Sequence, residues 1–150
     1  KRGIFKAALW EQSANVNKPG KPKQRLEQVW FSGSHSNVGG GYLDARPSDV
    51  SLRWMIERGK ECGLAFNDDY IESNISSDED KCEGELRNSK TSFYRLSPDY
   101  IRAIGKAVNG YEDLHPSAVF RKDKKDNYQS ANLIKALVNK GLRKLNGHHQ

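Results

Sequence analysis

The residue types best suited to chemistry gather around one histidine. His35 follows the apolar run Val29-Trp30-Phe31 across Ser32-Gly33-Ser34, and Ser36-Asn37-Val38 lead from it into Gly39-Gly40-Gly41. An imidazole titrates near neutrality, so it can take a proton from a hydroxyl and return it to a leaving group. Glycines on both sides let the backbone turn through positive φ and approach another surface closely. A strand, an exposed histidine loop and then a helix is an order in which a sheet enzyme presents a general base.

The neighbouring groups read more plainly. Ser34 and Ser36 flank the histidine, but neighbours in an extended loop point apart, so both are expected to hydrogen-bond within the loop. Gly39, Gly40 and Gly41 could cradle an anion with successive N–H groups, yet a steric need for glycine in a tight turn is the stronger reading. Trp54 is expected to pack. His115 precedes Pro116, which disfavours helix at His115; a capping or structural histidine in a turn is expected there. Asp68, Asp69, Asp78, Glu79 and Asp80 lack the Gly and closing Glu of a calcium loop and read as solvated acids. Cys62 and Cys82 have no metal-ligand spacing and read as reduced thiols.

Few elements are needed to position the histidine. Leu26–Phe31 is expected as a strand, its apolar run suiting a strand covered on both faces. Ser48 is the expected N-cap of a helix whose stripe is Leu52, Met55, Ile56, Gly59 and Cys62, with Gly63 as its stop. Residues 67–96 show little periodicity and many acids, and read as an irregular surface insertion. A second helix is expected from Ser97-Pro98 to Gly110, and a third over 130–145 through Leu133, Leu137 and Leu145, with Ile134 and Val138 widening the stripe.

Trp30-Phe31-x-Gly33-x-His35-Ser36-x-Val38-Gly39-Gly40-Gly41-Tyr42, followed by Ser48-Asp49-Val50-Ser51-Leu52-Arg53-Trp54-Met55-Ile56-Glu57-Arg58, closely resembles one α/β-hydrolase family. Its best understood members are the phospholipase effectors of bacterial type VI secretion. The resemblance continues in Leu114-His115-Pro116-Ser117-Ala118-Val119-Phe120-Arg121 and more weakly in Tyr128–Leu133.

The resemblance implies an α/β fold of which residues 1–150 form the C-terminal portion: a terminal sheet strand, the catalytic His35 loop and packing helices. It implies serine ester hydrolysis, with phospholipid the leading substrate class. His35 would be general base and acid, and Gly33, Asn37, Gly39, Gly40 and Gly41 would shape its loop. Such hydrolases carry a Gly-x-Ser-x-Gly elbow, with the triad in chain order Ser, Asp or Glu, then His. No Gly-x-Ser-x-Gly occurs in this sequence, so the serine and the acid are expected upstream of Lys1. The sole methionine, Met55, lies within the proposed helix, which also suits a piece of a longer hydrolase. That N-terminal half would be the main partner, and the chain alone is expected to be inactive. The family usually has Asp where Asn37 stands; if that residue shapes the loop, Asn serves through backbone hydrogen bonds, and if it supplies charge beside the histidine, activity is weakened or altered. No cofactor and no metal is implied.

Composition sets the bounds. Only 35% of residues are hydrophobic against 29% charged, and the mean hydropathy is −0.86, a poor composition for a self-sufficient core. The net charge of +6 is uneven. Residues 1–25, a basic arm, hold seven Lys or Arg and one acid, whereas 67–85 hold eight acids and one lysine. Such alternation suits solvated faces or an anionic phospholipid surface. No nucleic-acid motif accompanies it. There is no apolar run long enough to cross a membrane and no signal-peptide pattern in these residues, and a cytoplasmic or a secreted effector both fit. The alternative function class is a non-catalytic module that binds a partner protein or an anionic membrane through the basic ends and the 130–145 helix. A Gly-x-Ser-x-Gly elbow upstream would decide for the enzyme.

Overall fold

The computed structural model describes residues 8–10, 19–20, 25–76, 83–88, 96, 101–105, 112–124, 128 and 130–146, with side chains of the last helix described as far as residue 139. Strand β1 spans Gln28–Trp30, shorter than the apolar run suggests. It pairs with β2, Glu112–Leu114, in parallel, with Gln28 opposite Glu112, Val29 opposite Asp113 and Trp30 opposite Leu114. Glu-Asp-Leu has poor intrinsic strand preference, and no sequence pattern marks it. Its pairing is fixed from the neighbour's side. The Trp30 indole Nε1 donates to Glu112 Oε2 at 2.8 Å, and the His115 N–H donates to the Trp30 carbonyl at 3.0 Å, carrying the ladder one residue further.

Among the described residues, three helices lie in the first half. Helix α1 is short, His35–Gly39. Helix α2, Arg46–Glu61, begins two residues before the expected Ser48 cap, with Ala45 at the N-cap and Pro47 in the first turn, where a missing N–H costs nothing. Gly63, at φ +87°, ends it, its N–H on the Lys60 carbonyl and the Leu64 N–H on that of Gly59. Helix α3, Asp68–Asn74, lies where an irregular insertion was expected. The acids that hid it are its start signal: the Asn67 side chain accepts from the Tyr70 N–H at 2.9 Å, and Asp68 and Asp69 in the first turn favour the positive end of the helix dipole.

The expected stripe on α2 is only partly covered. Ile56 is buried against Ile71 and Ile75 of the α3 segment, while Leu52, Met55 and Cys62 are exposed. Val50 and Pro47, on another side of α2, are buried instead. Arg53 clamps the two helices together. Its guanidinium donates to the Ile75 and Ser76 carbonyls at 2.6 and 3.0 Å and pairs with Glu72 at 3.0 Å. Asp49 accepts from the Ser76 N–H at 3.0 Å.

The second half differs more from expectation. Residues 101–105 are not helical. Gly105 has φ +75°, and its N–H donates to Glu112 Oε2 at 3.1 Å, which turns the chain toward β2. The rest of the expected second helix lies outside the described residues, as do Asp78, Glu79, Asp80 and Cys82. Helix α4, Pro116–Lys124, follows β2 directly. Helix α5, Ala131–Asn146, covers the expected third helix. Leu133 and Ala136 are buried on it, whereas Ile134 and Val138 are exposed. Among the described residues, no helix is long and apolar enough to cross a membrane.

Candidate active site at the C-terminal edge of the sheet

Parallel pairing makes β1 and β2 end at the same edge, so the segments that follow them, with His35 and His115, leave from neighbouring points. Outside the carboxyl ends of parallel strands is where open α/β sheets bind their ligands. After β1 the chain bends at Ser32 and Gly33 and enters α1 at once. His35 is therefore the first residue of a helix rather than part of an extended loop.

Asn37 holds this turn together. Its side chain is 1% exposed, and its Oδ1 accepts from the Ser34 N–H at 3.1 Å and from the Ser34 hydroxyl at 2.8 Å. Ser34 thus caps α1 while tied to it, and His35 follows as the first helical residue. The Asn37 Nδ2 is buried with no hydrogen-bond partner among the described residues, an arrangement that normally costs about 1–3 kcal/mol. Gly33, at φ +111°, allows the close approach: a Cβ there would meet the Asn37 Cβ at 2.5 Å. Gly40 and Gly41 also carry positive φ, at +85° and +109°, whereas a Cβ at Gly39 would meet nothing. The Ser51 hydroxyl donates to the Val38 carbonyl at 2.5 Å and so pins α1 to α2.

The His35 ring is exposed and makes no hydrogen bond or ion pair among the described residues. His115 is half-buried. Its ring stacks on Phe31 with centroids 4.7 Å apart and planes 25° apart, and Phe31 meets Trp54 edge-on at 5.9 Å. Its Nδ1 lies 2.8 Å from the Ser117 hydroxyl and accepts from the Ser117 N–H at 3.3 Å. The ring thereby caps the start of α4. In place of the expected turn, His115 stands at a strand end.

Between the two strand ends is a small hollow lined by Phe31, Ser32, Val50, Ser117 and Arg121. The Ser32 hydroxyl is buried there with no hydrogen-bond partner among the described residues. Arg121 is 4% exposed and donates to the Gly84 carbonyl at 2.8 Å. Neither residue stood out in the sequence; Arg121 had a signal only as the end of the His115-Pro116 motif. Beyond α1, the Arg46 guanidinium grips Asp44 through two 2.8 Å contacts and holds its carboxyl well below the usual carboxylate range. Among the described residues, no group of three His, Cys, Asp or Glu could hold a metal ion.

Residues 1–58 match the family described as "T6SS, Phospholipase effector Tle1-like, catalytic domain". The matched stretch contains β1, α1 with His35 and Asn37, and most of α2; the segments around His115 and Tyr128 lie outside it. No curated protein and no solved structure matches the chain.

Proposed function

We propose that this chain is the C-terminal part of a serine ester hydrolase acting on phospholipid, and that His35 is its triad histidine. The observation that carries the reading is His35 itself, exposed at the end of a parallel strand and held there by Gly33 and Asn37, within the stretch that matches a phospholipase catalytic domain. The nucleophilic serine and the orienting acid come from sequence upstream, which also supplies further strands to the sheet.

The chemistry assigned to His35 is the relay of two protons, one in each half-reaction. It takes the proton of the serine hydroxyl as that oxygen attacks the ester carbonyl. It returns this proton to the departing alcohol, leaving an acyl-enzyme. It then takes a proton from water, whose oxygen attacks the acyl carbonyl, and gives it back to the serine as the carboxylic acid leaves. Asn37 serves by shape, since the oxygen that ties Ser34 would be present in either Asn or Asp.

The test compares the intact hydrolase with its His35→Gln variant on a phospholipid and on a p-nitrophenyl ester. Loss of turnover at unchanged KM and melting temperature is the expected result. Full activity of a folded His35→Gln enzyme would remove His35 from the chemistry. Turnover by residues 1–150 alone, sensitive to His35→Gln, would show that the nucleophile lies within this chain.

A further inference from the structure

Residues 83–88 form neither helix nor strand, yet they reach the hollow between the two strand ends. Their sides alternate as in an extended chain: Gly84 is buried and Leu86 half-buried, whereas Glu83, Glu85 and Arg87 are exposed. Leu86 lines the hollow together with Phe31, Pro47 and Val50. Gly84 lies on the start of α2, where a Cβ would meet the Pro47 Cδ at 2.6 Å. The segment is tied on both flanks. Toward the chain returning from α1, the Glu85 N–H donates to Asp44 at 3.0 Å, and the Arg87 guanidinium lies 5.3 Å from the centre of the Tyr42 ring. Toward α4, the Gly84 carbonyl accepts from Arg121 at 2.8 Å.

We infer that residues 83–88 are a strap that closes the strand ends, with Leu86 standing where an acyl chain lies once the strap lifts. With Leu86 in place the free space in the hollow is about 10 Å³, room for about one water, so no chain enters beside it. Phe31, Pro47 and Val50 offer a hydrocarbon chain the same apolar walls that they offer Leu86. Closure also carries a cost. It leaves the Ser32 hydroxyl buried in that hollow with no hydrogen-bond partner among the described residues, typically about 1–3 kcal/mol. Lifting the strap returns that hydroxyl to water or to an ester oxygen. Residues 83–88 can leave without unravelling a helix or a ladder, and segments of this kind open at the lowest cost. The identity of the occupant rests on the hydrolase reading above, but the opening of the strap does not. If substrate enters only when the strap is open, the apparent affinity is reduced by the fraction of time it is open. Weakening the strap should therefore improve substrate binding, the opposite of what damage to a structural contact does.

The test uses Leu86→Ala in the intact hydrolase. Hydrogen exchange is read at the Glu85 amide, whose bond to Asp44 the substitution leaves in place. The control is the Ser76 amide, which donates to Asp49 at 3.0 Å away from the strap. Exchange at Glu85 is expected to speed up severalfold while Ser76 is unchanged, because the strap lifts as a unit. On p-nitrophenyl octanoate the variant is expected to lower KM severalfold at nearly constant kcat. Unchanged exchange at Glu85 overturns the inference. So does equal acceleration at Ser76, which would mean that the whole fold has loosened. A KM that stays constant or rises while Glu85 exchanges faster also overturns it, since the strap would then open away from the substrate path. Failure of the hydrolase reading is seen separately, as full activity of a folded His35→Gln enzyme, and leaves the exchange result standing.

Discussion

His35 and His115 leave neighbouring parallel strands at the same edge, yet their surroundings prepare them for different work. His115 is committed. Phe31 lies against its ring, and its Nδ1 is engaged by both the hydroxyl and the N–H of Ser117. His35 has no such commitment among the described residues. Its surroundings fix the backbone, through Gly33 and the Asn37 clamp, and leave the ring itself exposed. Proximity to a strand end is thus a poor guide by itself; what each ring nitrogen is bonded to separates a structural imidazole from an available one.

The sharpest way to break this contrast is kinetic. In the intact hydrolase, His35→Ala is expected to lower kcat at least about a thousandfold, with little change in KM or melting temperature. His115→Ala is expected to keep turnover within severalfold. Reversal of the two results in folded proteins would mean that the Ser117 contact is surrendered during catalysis and that His115 is the proton carrier.

Next in size is Gly33→Ala. It places a side chain at φ +111° with its Cβ 2.5 Å from the Asn37 Cβ, so left-handed strain and overpacking add. The expected loss is about 3 kcal/mol in denaturant unfolding. Gly39→Ala, with open space around it, should be neutral or slightly stabilising. Equal effects at the two glycines would mean that the turn is not held as described.

How much of this was legible in sequence follows from where each signal lives. β1, α2 and α5 carry apolar residues at strand or helix spacing, and Gly63 ends α2 as read. β2 was invisible because Glu112-Asp113-Leu114 becomes a strand only by pairing with β1 and through the Trp30 indole. α3 was hidden by acids that suggested a solvated loop, although Asn67-Asp68-Asp69 is a helix start once Ile71 and Ile75 have Ile56 to pack on. The α2 stripe misled in the opposite sense. Its spacing is helical, but Leu52 and Met55 have no described partner in this chain, and the covered sides are those carrying Val50 and Ile56. Around the site, the histidine and its glycines could be singled out by type. The clamp between Asn37 and Ser34 and the buried Ser32 and Arg121 depend on how the chain turns back, which no local spacing encodes.

A smaller effect is expected on the committed side of the comparison. His115→Ala and Ser117→Ala each remove one member of the α4 cap, and each should cost about 1 kcal/mol, the usual loss for a helix cap. Made together they should cost less than the sum, since both disrupt the same contact. Additive losses in thermal unfolding would show that the 2.8 Å contact contributes nothing as a pair.

The smallest effect lies where the His35 segment returns to α2. Arg46 lowers the folded-state pKa of Asp44, and the Glu85 N–H, donating to Asp44 at 3.0 Å, lowers it further. A carboxyl depressed on folding contributes stability above its unfolded pKa of about 3.9, and that contribution fades as pH falls toward the folded value. Arg46 is 43% exposed, so water screens the pair and the contribution at neutral pH is about 1 kcal/mol or less. Asp44→Asn should therefore melt slightly below the parent at pH 7, and the gap should close on acidification toward pH 2. A gap that stays constant, or widens with acid, would show that Asp44 acts through hydrogen-bond geometry alone. The loop after α1 would then be held by shape, as the His35 turn is held by Gly33 and Asn37, rather than by charge.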